Sequence, residues 1–300
     1  MTRILAHLGY IKSGSSSLQN HLFAQHPQLN YLATQLAEDT PRTPFQAAPL
    51  TTRFYRALIE DGAPGDLQDL WRTHVAPALD PRRTNILSDE TALTVGDPRT
   101  VLTRVADIAP TARILIVTRN QTDLLRSFYD MFPTIRHDES GRGSYADFDG
   151  WLDHILDQRG HYDLARNLHY ATTIRMAQDI FGTDNVHVIP FEQLFRSETA
   201  QAALARCLGI AAEDVSAALA RPAVNDHREH AAKKLTRRLL GPVHASWFLP
   251  QPVLKRINRA LGRVVRSGPT RITEAQRHRI VSHYAEDTAA MQAIMAGLPR

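Results

Sequence analysis

The chain has 300 residues, of which 43% are hydrophobic, and a formal net charge of +4. This length and composition suffice for one full hydrophobic core, so we expect a single domain over residues 1–300. No apolar stretch approaches the roughly 18 residues that a membrane span needs, and His7 interrupts the apolar run Ile4–Leu8. Cys207 is the only cysteine, which excludes an intrachain disulfide and a cysteine-based metal cage. We therefore expect a cytoplasmic protein without a secretory leader.

Short apolar runs alternate with helical patterns along the chain, which is typical of parallel βα units. The predicted strands, in chain order, are Arg3–Leu8, a weaker candidate at Asn30–Ala33, Asn85–Ser88, Arg113–Thr118 and Val186–Pro190. The predicted helices are Leu18–Ala24, Leu67–Ala78, Arg99–Ile108, Asp123–Met131, Tyr145–Asp157 and Leu164–Phe181. Thr273 and Gln276 have the spacing of a capping box, which opens a last helix that runs nearly to the C-terminus. The pattern predicts an α/β fold, with a central parallel sheet of about five strands flanked by helices and a helical C-terminal part.

A loop of small and hydroxylated residues follows the first strand. From Gly9 to Gln19 it reads Gly-Tyr-Ile-Lys-Ser-Gly-Ser-Ser-Ser-Leu-Gln. Between a strand and a helix, small residues let backbone N–H groups converge on an anion, and the helix dipole favours negative charge. Lys12 adds a positive charge and the serines add hydroxyl donors. The pattern predicts a phosphate-binding loop, and the alternative is a Gly/Ser-rich turn that only opens a helix.

The order of residues in this loop separates two classes of phosphate-binding protein. In ATP and GTP P-loops, Lys follows the last Gly and precedes a Ser or Thr that binds Mg²⁺, whereas here Lys12 precedes Gly14. The loop resembles the 5′-phosphosulfate loop of sulfotransferases that use 3′-phosphoadenosine 5′-phosphosulfate (PAPS), Tyr-Pro-Lys-Ser/Thr-Gly-Thr-Thr/Ser, with Ile11 in place of Pro. The resemblance implies that the donor is bound by Lys12, Ser13, Gly14, Ser15, Ser16 and Ser17.

A second motif follows the strand Arg113–Thr118. Arg119 stands at the edge where open parallel sheets bind ligands, and Ser127 lies about two helical turns further on. An Arg fork and a hydroxyl can clamp one tetrahedral anion. The segment Arg119–Tyr129 resembles the family's 3′-phosphate motif, Arg-Asn/Asp-Pro-x-Asp-x-x-x-Ser-x-Tyr, with Gln121 in place of Pro. A strand-end salt bridge is the alternative role for Arg119.

The resemblance extends more weakly over most of the chain. Val186–Leu194 resembles the family's strand that ends in Tyr-Glu-Asp-Leu, and Leu204–Ile210 resembles its Leu-x-x-Phe-Leu-Gly-Ile. The chain therefore resembles bacterial, carbohydrate-type PAPS-dependent sulfotransferases, which implies one sulfotransferase domain with a P-loop NTPase-like fold. The implied reaction moves a sulfuryl group from PAPS to a hydroxyl or amine of a small-molecule, carbohydrate or lipid acceptor. It releases 3′-phosphoadenosine 5′-phosphate (PAP) and needs no metal.

Three side chains are candidates for the chemistry. Lys12 is the candidate for stabilising charge on the bridging oxygen of the donor. Glu90, just after the third predicted strand, resembles the glutamate of the Ser-x-Glu motif in carbohydrate-type and bacterial sulfotransferases and is the candidate general base. Asp89 and His7 are alternative bases. Structural roles stay open as well, because acids after a strand often cap the next helix and a strand histidine is often packed.

Positive charge is concentrated near the C-terminus. From Arg228 to Arg271, eleven Lys or Arg side chains accompany one acid, Glu229, which indicates an anionic partner. Three interpretations of the basic helical segment 229–271 stay open: solvated helix faces, a lid on the acceptor or adenosine site, or peripheral membrane contact through 231–265. We expect no nucleic-acid partner, because no stacking platform is evident.

The chief alternative function is a metal-dependent P-loop nucleotide or small-molecule kinase, with Ile86–Asp89 as the strand that binds Mg²⁺. A binding module that has lost its base is a third candidate. The segments expected to build an acceptor pocket, 31–71 and 131–162, carry no motif of an acceptor class, and the sequence predicts no oligomeric state.

Overall fold

The computed structural model describes residues 2–35, 49–60, 64–132, 134–136, 143–157, 164–221 and 270–297. Its strands are β1 (Arg3–Leu8), β2 (Leu29–Tyr31), β3 (Thr84–Asp89), β4 (Arg113–Thr118), β5 (Thr134–Arg136), β6 (Gly143–Tyr145) and β7 (Val186–Pro190). Its α-helices are α1 (Ser15–Ser17), α2 (Leu32–Gln35), α3 (Pro49–Ile59), α4 (Pro64–Leu70), α5 (Ala92–Val95), α6 (Pro98–Ile108), α7 (Gln121–Met131), α8 (Phe148–Leu156), α9 (Leu164–Asn167), α10 (Tyr170–Phe181), α11 (Phe191–Leu194), α12 (Glu198–Leu208), α13 (Ala212–Leu219), α14 (Glu274–His283) and α15 (Ala285–Gly297). Leu18–Phe23 and Trp71–Val75 are π-helical, and Ala76–Ala78 and Thr183–Asn185 are 3₁₀ turns.

Five parallel strands form the central sheet in the order β2-β3-β1-β4-β7. The predicted α/β fold is confirmed, and β1, β4 and β7 have the predicted bounds. Because β1 lies between β3 and β4, the chain segments that leave these three strands meet at one edge of the sheet. Ligands of open parallel sheets bind at such an edge.

The central strand β4 is buried on both faces. Ile114, Leu115, Ile116 and Val117 are all 0% exposed. Leu115 and Val117 share one apolar cluster with Leu204 of α12. Ile114 and Ile116 point to the opposite face because successive strand side chains alternate. Since both sets are buried, the sheet is covered on both faces, as the continuous apolar sequence of β4 predicts.

The chain divides into two compact units. The first contains the five-stranded sheet and comprises residues 1–120, 167–224 and 284–300. The second comprises residues 121–166 and 225–283 and contains α7, the antiparallel pair β5–β6, α8 and α14. Its aromatic core brings the Tyr129 ring to 5.2 Å from Phe148 and 5.5 Å from Trp151. The single sulfotransferase domain over 1–300 stays a prediction, and the basic segment 229–271 lies, except for Thr270 and Arg271, outside the described residues.

Several predicted helices have different bounds in the structure, and two of them show the reason most clearly. Tyr145 ends β6, and α8 begins only at Phe148, because the Asp147 side chain caps the helix by accepting a hydrogen bond from the Gly150 N–H at 2.8 Å. The predicted helix Leu164–Phe181 is two helices, α9 and α10. The sequence therefore locates these helices but misplaces their ends.

The predicted capping box at the start of α14 is confirmed. The Gln276 side chain accepts a hydrogen bond from the Thr273 N–H at 2.8 Å, and Thr273 Oγ1 accepts one from the Gln276 N–H at 3.2 Å. The predicted continuous C-terminal helix is interrupted at Tyr284, which separates α14 from α15.

Candidate active site

The loop between β1 and α1, residues Gly9–Ser17, is called the β1 loop below. Lys12 and Gly14 both have left-handed backbone, with φ of 70° and 80°. The Gly9 N–H donates to the Asp89 carbonyl oxygen at 3.0 Å, and the Ile11 N–H donates to Thr94 Oγ1 at 2.9 Å. These bonds tie the loop to the segment that follows β3. A left-handed lysine is uncommon and costs on the order of 1 kcal/mol, so the surrounding bonds must hold it in place.

Two serine hydroxyls of the β1 loop are buried without a hydrogen-bond partner in the described part of the chain. Ser13 is 0% exposed and Ser15 is 1% exposed, and neither Oγ has a partner there. A buried hydroxyl that lacks a partner costs about 1–3 kcal/mol, and a bound anion would remove this cost. The first N–H groups of the helix that starts at Ser15 supply further donors. These residues fit a phosphate or sulfate group.

Ser16 and Ser17, the other two serines predicted to bind the donor, make backbone hydrogen bonds within the loop and the following helix. The Ser17 N–H donates to the Gly14 carbonyl oxygen at 3.0 Å, and the Ser16 carbonyl oxygen accepts from the Asn20 side chain at 2.6 Å. Both bonds stabilise the start of the helix. Ser16 is buried and Ser17 is partly exposed.

Phe191, the residue after β7, closes the β1 loop from one side. A Cβ atom added at Gly14 would lie 2.7 Å from Phe191 Cε2 and 2.9 Å from Cδ2. Phe191 packs against Phe195 with ring centroids 5.3 Å apart. An aromatic residue after an apolar strand has the pattern of a core residue, so nothing in the sequence indicates this contact. Phe191 therefore requires glycine at position 14.

Gly14→Ala is expected to weaken anion binding by the β1 loop at least tenfold, on the order of 1–2 kcal/mol or more. The new methyl group both disfavours the left-handed backbone and collides with Phe191. The affinity for PAP, measured by calorimetry, checks this. The matched control is Gly209→Ala, which has the same left-handed strain (φ 73°) at the end of α12 and should lower stability with PAP affinity retained. Equal PAP affinity in Gly14→Ala and the wild type would contradict the prediction.

Arg119 joins the end of β4 to the β1 loop. Its Nη1 donates to the Lys12 carbonyl oxygen, and its guanidinium carbon lies 4.8 Å from the centre of the Phe191 ring. The Tyr170 hydroxyl donates to the Arg119 carbonyl oxygen at 2.8 Å. The structure thus brings together Lys12 and Arg119, which are 107 positions apart in the sequence.

Ser127 lies on α7 in the second unit and is partly exposed. Tyr129, which belongs to the same motif, donates its hydroxyl hydrogen to the Ala146 carbonyl oxygen at 2.9 Å. The helix begins at Gln121, two residues before the predicted start. The joint role of Arg119 and Ser127 in binding one phosphate stays a prediction.

Asp89 and Glu90, at the end of β3, have different surroundings. Asp89 Oδ1 accepts hydrogen bonds from the Thr91 N–H at 2.6 Å, from Thr91 Oγ1 at 2.7 Å and from the Ala92 N–H at 3.0 Å. Asp89 therefore caps the start of α5, the structural role that the sequence left open. Burial raises the pKa of Asp89, and these hydrogen bonds oppose the increase.

Glu90 lies within electrostatic reach of Lys12. Burial raises the pKa of Glu90 above its ordinary value of 4.5, the neighbouring Asp89 raises it further, and the Lys12 ammonium lowers it. A carboxylate with a raised pKa is suited to accept a proton near neutral pH. Two of the candidate catalytic residues, Lys12 and Glu90, thus interact electrostatically at one edge of the sheet.

Among known proteins, no family model and no curated sequence matches this chain. The structure is similar to the crystal structure of a sulfotransferase from Alicyclobacillus acidocaldarius, with a TM-score of 0.57 and 16% identity over 99% of this chain and 96% of that one. The chain has the sulfotransferase fold. Lower TM-scores of 0.43 and 0.38 relate it to the sulfotransferase domain from the curacin biosynthetic pathway (13% identity, 94% of this chain and 98% of that one) and to retinol dehydratase in complex with androsterone and inactive cofactor PAP (12% identity, 90% and 82%).

In this sulfotransferase fold, His7 lies beneath the β1 loop. The ring is 0% exposed, its Nδ1 is hydrogen-bonded to Ser88 Oγ at 2.8 Å, and Ser88 Oγ also accepts from Gln19 Nε2 at 3.0 Å. Burial lowers the pKa of His7 to about 4, so the ring is neutral at pH 7. Its Nε2 is buried without a partner in the described residues. His7 is thus packed, and it stays an alternative base.

Within the described residues, no three His, Cys, Asp or Glu side chains are grouped so that they could hold a metal ion. Over the same part of the chain, no helix combines the length and apolar character needed to cross a membrane. The metal-free reaction and the peripheral membrane contact through 231–265 stay predictions.

Asp89→Ala is expected to lower the free energy of unfolding by about 1–3 kcal/mol, because three donors at the start of α5 lose their acceptor. Urea denaturation measures this change. Asp89→Asn keeps an oxygen at the Oδ1 position and should lower the free energy of unfolding by less than Asp89→Ala. An alanine variant as stable as the wild type would show that the cap contributes nothing.

Proposed function

We propose that this protein is a PAPS-dependent sulfotransferase that transfers a sulfuryl group to a hydroxyl or amine of a small-molecule, carbohydrate or lipid acceptor and releases PAP. The observation that carries the proposal is the pair of buried hydroxyls of Ser13 and Ser15, which have no hydrogen-bond partner among the described residues and lie in the β1 loop that also holds Lys12. The sulfotransferase fold and the order of Lys12 before Gly14 support it.

In the proposed reaction, Glu90 accepts the proton of the acceptor hydroxyl or amine. The acceptor oxygen or nitrogen forms a bond to sulfur, and the bond from sulfur to the bridging oxygen of the donor breaks. The electron pair of that bond stays on the 5′-phosphate of PAP, where the Lys12 ammonium offsets the new negative charge. The Ser13 and Ser15 hydroxyls donate hydrogen bonds to the phosphosulfate, and no metal is assigned to the step.

We assign the 3′-phosphate of the donor to Arg119, and the resemblance of the sequence Arg119–Tyr129 to the 3′-phosphate motif extends this assignment to Ser127. The contact of Arg119 with the Lys12 carbonyl oxygen supports this assignment, because it fixes the guanidinium beside the β1 loop. A guanidinium fork suits a phosphate dianion. The proposal therefore predicts that the protein prefers PAP, which has a 3′-phosphate, over adenosine 5′-diphosphate (ADP), which has none.

Nucleotide-dependent thermal stability tests the proposed function. With EDTA and no Mg²⁺, PAP at about 100 times its Kd should add about 2.7 kcal/mol to the free energy of unfolding, while ADP at the same concentration adds less. ATP with Mg²⁺ is the test of the kinase alternative. Stabilisation by ATP and Mg²⁺, with no effect of PAP, would refute a sulfotransferase and favour the kinase.

The acceptor is then identified with labelled PAPS and separate panels of sugars, lipids, phenols and amines. A labelled product in one panel fixes the acceptor class. PAP binding without transfer to any panel would instead favour the binding module. The cytoplasmic location, the bacterial origin and the role of segment 229–271 stay predictions.

A further inference from the structure

Helix α10 is capped by a residue from a distant part of the chain. Its own N-cap residue, His169, makes no side-chain capping hydrogen bond. Instead, Asp287 of α15 accepts a hydrogen bond from the Ala171 N–H at 3.0 Å, and its carboxylate also faces the N–H groups of Tyr170 and Thr172. Asp287 is 116 positions from Ala171 and only 7% exposed. The cap therefore attaches the start of α10 to the C-terminal helix.

The first residue of α10 contacts the candidate active site directly. The Tyr170 hydroxyl donates to the Arg119 carbonyl oxygen at 2.8 Å. The Tyr170 ring packs edge-on against Tyr10 of the β1 loop, with centroids 4.7 Å apart, and both rings are buried. Arg119 in turn donates to the Lys12 carbonyl oxygen. A shift of the first turn of α10 would therefore move Arg119 and the β1 loop together.

The Asp287 cap has a free-energy cost that a local cap would avoid, because it buries a carboxylate. A Ser or Asn at the N-cap position would accept a hydrogen bond from the Ala171 or Thr172 N–H without burying a charge. Burial raises the pKa of Asp287, whereas His169, with Nδ1 4.0 Å from Asp287 Oδ1, and the backbone N–H groups lower it. In return, the distant cap fixes the position of α10 relative to α15, which a local cap cannot do.

We propose that Asp287 is a positioning residue of the donor site, which holds the start of α10 so that Tyr170 keeps Arg119 and Tyr10 in place. The identity of the ligand as PAPS or PAP rests on the proposed function, whereas the expected effect of Asp287 on the β1 loop does not. The inference predicts that α15 affects donor affinity although Asp287 is not among the residues assigned to bind the donor. Substitution of Asp287 should thus lower the free energy of unfolding and, in addition, increase amide exchange in the β1 loop.

Amide hydrogen exchange of the protein without nucleotide is the first test. Asp287→Ala should raise exchange of the Tyr10–Ser17 amides about tenfold, because the loop loses its support. The control is Asp97→Ala, which removes the aspartate cap of α6, where Oδ2 accepts from the Thr100 N–H at 2.9 Å. This control should lower stability and leave exchange of the loop unchanged. Unchanged loop exchange in Asp287→Ala would overturn the inference.

PAP affinity is the second test. Asp287→Ala should weaken PAP binding about tenfold, Asp287→Asn less, and Asp97→Ala not at all. Tyr170→Phe removes only the hydroxyl that bonds Arg119, so it should weaken PAP binding with little loss of stability. The double variant Asp287→Ala/Tyr170→Phe should lose less PAP binding free energy than the sum of the two single losses. Both substitutions act through the contact of Tyr170 with Arg119.

The outcomes separate the two proposals. If the wild type does not bind PAP, the proposed function fails, and the exchange experiment still decides the role of Asp287. If Asp287→Ala does not fold, Asp287→Asn and Tyr170→Phe give the answer. PAP affinity and loop exchange equal to the wild type in those two variants would mean that the cap serves only stability.

Discussion

Lys12→Met is expected to lower kcat by about 10²–10³-fold while the affinity for PAP changes by less than about tenfold. Methionine keeps the length and apolar stem of the side chain but cannot offset charge on the departing phosphate. The backbone position is unchanged, because methionine has the same Cβ atom in the left-handed conformation (φ 70°). Single-turnover sulfuryl transfer from labelled PAPS, together with PAP calorimetry, measures both quantities.

The charge of Lys12 also acts on Glu90. The ammonium lowers the pKa of Glu90, so its removal should raise that pKa and move the acid limb of the pH–rate profile to higher pH. Arg99→Met, which removes an exposed cation from α6, is the control and should change neither kcat nor the profile. Near wild-type turnover in Lys12→Met would refute this mechanism even if the protein is a sulfotransferase.

The strands of the sheet could be predicted because each buried strand is a short apolar run bounded by turn residues. β4 is the clearest case. Both of its faces are buried, so its residues form a continuous apolar run instead of alternating between apolar and polar. The β1 loop could be predicted for a similar local reason: its small residues, its lysine and the helix that follows are contiguous. The class of donor that the loop binds is predicted from the order of its residues, in which Lys12 precedes Gly14.

Contacts between distant segments that belong to no motif could not be predicted. Phe191 approaches Gly14, and Asp287 caps α10, across 177 and 116 positions respectively, and neither residue belongs to a local pattern that signals its partner. The roles of two adjacent acids were also ambiguous in sequence. Only the hydrogen bonds of Asp89 identify it as the cap of α5 and leave Glu90 as the better candidate base.

Glu90→Gln is expected to lower kcat/KM at pH 7 by about 10²–10⁴-fold, with PAP affinity retained. Glutamine has nearly the same shape as glutamate but cannot accept a proton from the acceptor. PAP should bind at least as tightly as before, because a negative charge near Lys12 has been removed. Initial rates with saturating PAPS, over a range of acceptor concentrations, give kcat/KM.

The pH dependence separates Glu90 from His7 as the base. A base must be deprotonated, so activity is lost as pH falls through its pKa. Burial raises the pKa of Glu90 above 4.5 but lowers that of His7 to about 4, so a Glu90 limb lies at the higher pH. If Glu90 is the base, Glu90→Gln removes this limb and His7→Asn, which keeps a polar group near Ser88, retains it. An acid limb near pH 4 that persists in Glu90→Gln and disappears in His7→Asn would transfer the role of base to His7.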